Sequence, residues 1–118
     1  FPNAFFFGPA QSAFTATYTY SLDEQSVHLA HILTVAAKKG ANRIEASDAA
    51  EKKWVQTIIQ KARLTADFQQ KCTPGYYNNE GKVNAKPQNN TYGGGPIEFF
   101  ALMKKWRSND NLKGLELR

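Results

Sequence analysis

Apolar positions in this 118-residue chain recur at helical spacing in three places. Leu29, Ile32, Leu33 and Ala36 form the first such stripe, the pattern that puts side chains on one face of an α-helix. Upstream, Ser21-Leu22-Asp23-Glu24 reads as a capping box, a hydroxyl followed three residues later by Glu. Lys38-Lys39-Gly40 supplies dipole-matched charge and a stop, so the first helix is expected over 21–39. Trp54, Val55, Ile58, Ile59 and Ala62 repeat the spacing behind Ser47-Asp48, which predicts a second helix over 47–67. A third is expected over 96–107, where Pro96 suits a first turn. Phe99, Phe100, Leu102, Met103 and Trp106 supply its buried side.

Two other rhythms frame the helices. Ala4-Phe5-Phe6-Phe7 is continuously apolar and stopped by Gly8-Pro9, the signature of a strand buried on both faces. Leu115 and Leu117 alternate with polar residues and predict a short C-terminal strand. Residues 10–20 are expected as an extended loop. From Lys71 to Gly95 all periodicity disappears among Gly, Pro, Asn and Gln, and loops of this length are usually functional or disordered. The fold class is α+β, mainly α, within a single unit over 1–118. Its parts are a strand and loop at 1–20, a helical pair at 21–69, an irregular loop at 70–95, and a helix with its tail at 96–118.

The net charge of +5 invites a nucleic-acid reading. The cations, however, are scattered in pairs such as Lys38-Lys39 and Lys104-Lys105 with acids between them, which suits solvated helix faces and not a phosphate-binding stripe. No apolar run has the length of a membrane span. A lone cysteine, Cys72, precludes an internal disulfide, so a cytoplasmic setting is expected. The chain starts at Phe1, inside the apparent strand, and that strand has no sheet to join within the sequence. The expectation is therefore a piece of a larger protein, in which an exposed apolar strand could also pair two copies.

Candidate chemistry is sparse. His28 and His31 share a helix face without further ligands and are expected on the surface, with no metal. Cys72 reads as a small buried thiol. Gly93-Gly94-Gly95-Pro96 could offer free amides to a phosphate or simply form a flexible lead-in to a helix. "FFFGPAQSAF" is more informative. A strand ending in Gly-Pro brings backbone to a sheet edge where α/β proteins bind ligands, with Gly8 allowing close approach and Ser12 and Thr15 offering hydroxyls. A plain strand-to-helix connection is the equal alternative. "CTPGYYNNEG" at 72–81 has the look of a binding loop, with two tyrosines that are costly to leave idle.

Four stretches, "FPNAFFFGPAQSAFT", "CTPGYYNNEGK", "YGGGPIEFFALMKKWR" and "GLELR", resemble in order and separation the C-terminal part of the flavin-dependent Baeyer–Villiger monooxygenases. The likeness is nearest to the branch acting on bulky or large-ring ketones. It implies one part of a larger enzyme whose FAD and NADP domains precede this segment, the Phe5–Phe7 strand completing the FAD-domain sheet. The implied reaction uses FAD, NADPH and O2 to insert oxygen beside a ketone carbonyl, giving an ester or lactone. No catalytic residue falls within this chain, and the segment alone is expected to be inactive and to hold no cofactor.

Carried over by position, Gly8 and Pro9 would approach the flavin, and Thr17 would offer its backbone to the ring. Ser12, Ala13 and Phe14 would line the substrate pocket. Here "GPAQSA" is one residue shorter than the family's commoner "GPGSPSA". The 72–81 segment would be a lid over NADP, in which Tyr76 and Asn78 replace the tryptophan many relatives carry. Related flavoproteins oxidise heteroatoms instead. A small α+β interaction module with no enzymatic parent is the alternative from a different class.

Overall fold

The computed structural model describes residues 1–62, 71, 73–75, 80–82 and 87–118. Among them are three α-helices, α1 (Tyr18–Lys38), α2 (Asp48–Ala62) and α3 (Pro96–Arg107), and two short strands, β1 (Ile44–Ala46) and β2 (Leu115–Leu117). A 3-10 turn spans Pro87–Asn89.

Helix α1 starts three residues before the expected Ser21 cap. Thr17 occupies the N-cap position without a side-chain bond. Ser21 is instead fully buried and donates its hydroxyl to the Ala13 carbonyl (3.4 Å), so a tertiary contact took the group that the local pattern assigned to capping. The C-terminus ends as expected. Gly40 turns left-handed (φ 72°), its N–H donates to the Ala37 carbonyl, and the Ala41 N–H donates to Ala36, both at 3.0 Å.

Ser47 caps α2, accepting the Ala50 N–H at 3.3 Å, with Asp48 and Glu51 in the first turn where the dipole favours acids. The expected continuation of α2 to residue 67 lies outside the described residues. Pro96 opens α3 as predicted, and Lys104, Lys105 and Arg107 close it.

The C-terminal strand is present, and it pairs with β1, which the sequence reading did not anticipate. The antiparallel register sets Ile44 opposite Leu117 and Glu45 opposite Glu116. Like charges face each other there, offset by Arg43 at 3.1 Å from Glu45 and Arg118 at 3.5 Å from Glu116. The expected strand at Phe5–Phe7 is not formed. A strand needs a ladder partner, and β1 spends its bonds on β2 and on Asn3, whose N–H donates to the Ile44 carbonyl at 2.9 Å.

Two apolar clusters result. Ile58, Phe99, Met103, Tyr92 and Ala13 join α2, α3 and the loops on either side. Ile32, Val35, Ala36, Ile44 and Leu112 seat the end of α1 on the small sheet. Helix α3 is tied to α1 by an Arg107–Glu24 ion pair (3.2 Å), and to the turn before β2 by Trp106, whose Nε1–H donates to the Lys113 carbonyl (3.0 Å).

Candidate functional site

The loop 8–13 is held against α1 by Ser21, through the Ala13 carbonyl, and above all by Gln25. Gln25 accepts the Gly8 N–H at its Oε1 (3.1 Å), while its Nε2 reaches the Ser12 hydroxyl (3.0 Å), the Ser21 hydroxyl (3.2 Å) and the Gly8 carbonyl (3.5 Å). Sequence reasoning missed Gln25. The signal was available: Ser21, Gln25, Leu29, Ile32 and Ala36 lie in line on one helix face, so two polar residues extend the apolar stripe. Polar groups on a buried stripe must find partners, and these find each other and the loop.

Between this loop and the faces of α1, α2 and α3 opens a cavity of about 380 Å³. Phe5, Phe7, Leu29, Trp54, Met103 and Trp106 make its walls largely apolar, with Ser12, Gln25 and His28 as polar points. His28 is not the surface residue expected. Its ring packs 4.9 Å from Trp106 and its Nδ1 is buried without a partner among the described residues. Burial, then the Arg107 charge, then His31 lower its pKa from 6.5 to about 4, so the imidazole is neutral at pH 7. His31 is half-buried as well, 6.2 Å from Trp106, with Nε2 3.9 Å from Asp110.

The predicted site residues fall in different environments. Gly8 and Ser12 line the cavity. An added Cβ at Gly8 would meet nothing within 4 Å among the described residues. Pro9 sits beside it, half-buried, and its carbonyl accepts the Ser12 N–H (3.2 Å). Ala13 is 1% exposed and belongs to the core under the loop, so its methyl faces no cavity. Phe14 is exposed, and Thr17 is exposed with its carbonyl accepting the Thr15 hydroxyl (2.7 Å). Tyr76, Asn78 and Cys72 lie outside the described residues.

The Gly93–Pro96 stretch is closely packed at Gly93 and carries a carboxylate beside Gly94. Gly93 packs directly on the Lys61 carbonyl, and Glu98 sets its own carboxylate at the helix start, against Gly94. That carboxylate would repel a phosphate. It accepts the Tyr92 hydroxyl (2.5 Å) and Lys61 Nζ (2.6 Å), with the Tyr92 ring stacked on Trp54. Hydrogen bonds from Lys61 and Tyr92 hold the Glu98 carboxyl below its ordinary pKa; the bond to Glu98 raises that of Lys61, and burial raises that of the Tyr92 phenol.

Over all of its length the chain is 44% identical to neopentalenolactone D synthase of Streptomyces avermitilis, and it spans 20% of that protein. Over 91% of its length it is 40% identical to a Baeyer–Villiger monooxygenase of Streptomyces coelicolor, spanning 17% of it. The chain is homologous to one segment of the Baeyer–Villiger monooxygenases. A polycyclic ketone monooxygenase from the thermophilic fungus Thermothelomyces thermophila superposes on the whole chain with a TM-score of 0.89 at 27% identity, over 19% of its own chain. No protein-family model matches.

Compared with such Baeyer–Villiger enzymes, the chain spans about a fifth of their length. Among its described residues the loop at Gly8 leaves open space beside the cavity. No described helix is long and apolar enough to cross a membrane.

Proposed function

We propose that the complete protein is an FAD- and NADPH-dependent monooxygenase that inserts one oxygen atom beside a ketone carbonyl, with this segment, C-terminal in the chain, walling part of the site. The observation that carries the reading is the end-to-end correspondence with a polycyclic ketone monooxygenase at a TM-score of 0.89. It is supported by surface that a separate domain would not leave uncovered. Phe6 is 93% exposed beside the candidate loop and Ile97 is 87% exposed, as suits a segment packed against further protein.

FAD, when bound, would supply the oxygen activation, and this chain's residues would bind and orient. Gly8 and Pro9 would approach the ring from the loop that Gln25 fixes, and Thr17 would offer its backbone nearby. Ser12 and Phe14 would face the ketone, with Ala13 contributing backbone only. Tyr76 and Asn78 are proposed NADP contacts on sequence grounds. The apolar walls around Trp54, Met103 and Trp106 would help exclude water once the site is closed by the rest of the protein, which would strengthen polar interactions inside.

The test is turnover by the full-length protein. With O2, each ketone consumed should oxidise one NADPH, release one water and yield a product heavier by one oxygen. Oxidation of NADPH that is indifferent to every cyclic and polycyclic ketone in a broad panel, with no lactone or ester formed, would refute the reading.

A further inference from the structure

The loop 8–13 is held on its second side by the chain that returns at 87–92. The Gln11 N–H donates to the Asn90 carbonyl, the Gln11 side-chain amide donates to the Gln88 carbonyl, and the Tyr92 N–H donates to the Ser12 carbonyl, each at 2.9 Å. Gln11 itself sits at φ 56°, the left-handed region that residues with a Cβ rarely adopt. Such a conformation persists only where its surroundings impose it, and here two of the three bonds to 88–92 are made by Gln11 itself.

The return segment is in turn anchored at one point. Tyr92 is 3% exposed, stacks on Trp54 with ring planes 2° apart, and lies 5.6 Å from Phe99. Its hydroxyl meets the Glu98 oxygen that Lys61 also binds, so α2, α3 and the return segment converge on one carboxylate. Gly93 allows this by lying against the Lys61 carbonyl.

We infer that Gln11 and Tyr92 are positioning residues for the ketone-facing loop, fixing Ser12 and Gly8 from the side opposite Gln25. This rests on the monooxygenase reading above. Tyr92 does not line the cavity; Gln11 does, with its side-chain amide donated to the Gln88 carbonyl. Their effect passes through the Ser12 carbonyl and the backbone of Gln11, so disturbing them moves the wall and not the chemistry.

The experiment uses the full-length protein with NADPH and norcamphor, a bicyclic ketone that can give two regioisomeric lactones. Tyr92→Phe deletes the hydroxyl and keeps the stack, and Gln11→Gly removes both the side-chain bond and the need for an imposed φ. Hydrogen exchange by mass spectrometry over peptides covering 8–14 and 87–95 reports the pairing independently of turnover. Both variants should exchange faster there, raise KM for norcamphor about 5- to 20-fold, change kcat less than about 3-fold, and shift the lactone ratio. Gln11→Asn, which keeps an amide, should recover part of the ratio. Faster exchange with wild-type KM and lactone ratio in both variants would overturn the inference by reducing the contacts to scaffolding. A wild-type protein that makes no lactone from any ketone refutes the monooxygenase reading itself, and the inference with it.

Discussion

Alanine at Gly93 is the sharpest perturbation the structure offers. Its Cβ would land on the Lys61 carbonyl oxygen, 2.7 Å from the carbonyl carbon and 3.4 Å from Ala62 N. Non-bonded carbons rest about 3.5–4.0 Å apart, and these neighbours are helix backbone that cannot rotate away. Relief requires the 92–95 segment to back off α2 by about 1 Å, which loosens the Tyr92 stack on Trp54 and its bond to Glu98. Gly93 is not left-handed, so alanine also gains about 0.4–1 kcal/mol by restricting the unfolded chain. Overpacking costs about 1–3 kcal/mol and the weakened hydrogen bond about 1 kcal/mol. The clash wins, by about 1–3.5 kcal/mol. In the full-length protein, Gly93→Ala should accelerate hydrogen exchange across 54–62 and 92–103 and lower the first thermal transition by several degrees. Gly75→Ala is the control, because among the described residues its Cβ would meet only the Thr73 carbonyl at 3.9 Å. A Gly93→Ala protein with wild-type exchange in both peptides would show that the packing against Lys61 is not as tight as the geometry requires.

Two further outcomes follow from the helix interface. His28 titrates at about 4 when folded and near 6.5 when unfolded, so the unfolded chain takes up its proton first. Stability from this group is complete above about pH 6.5 and is lost as pH falls toward 4. The full difference would be worth about 3.4 kcal/mol, and partial exposure reduces it to about 1–2 kcal/mol. His28→Asn should therefore lose less stability than wild type between pH 7 and pH 5 in urea titrations, and an equal loss would remove His28 from the account. Arg107→Gln breaks the half-buried pair with Glu24 and should cost about 1–3 kcal/mol at pH 7. It also removes a cation that depresses His28, so its further loss between pH 7 and pH 5 should be smaller than wild type's; a larger one would contradict the assigned cause.

The helices were legible where local chemistry and burial agree. Ser47 caps α2 with its hydroxyl and Pro96 opens α3, each in the role its local sequence assigns. At Ser21 the two disagree: the same hydroxyl fits a capping box and a buried polar contact, and burial won. The apolar run at Phe5–Phe7 was read as buried on both faces, yet Phe6 is 93% exposed, because the surface that would cover it is not within this chain's described residues. Periodicity reports how apolar a face is and is silent on what lies against it. Strand β1 was missed for a related reason, since three residues, Ile44 to Ala46, are too few to show alternation.

The candidate loop was legible in part from the Gly-Pro stop after the apolar run, which marked Gly8 and Ser12 beside the equal alternative of a plain connection, and resemblance added Pro9. Neither reading pointed to what supports the loop. That support comes from Gln25 on one side and Gln11 and Tyr92 on the other, residues set 17 positions from Gly8 in one case and 80 positions from Ser12 in another. No local window spans the second distance. Tyr92 stands directly before three glycines. The glycines matter because Gly93 lets Tyr92 reach between α2 and α3, and that reach carries the Tyr92 N–H to the Ser12 carbonyl. A loop that faces a ligand needs to be held from sites that do not, so the residues most informative about this site lie furthest from it in sequence.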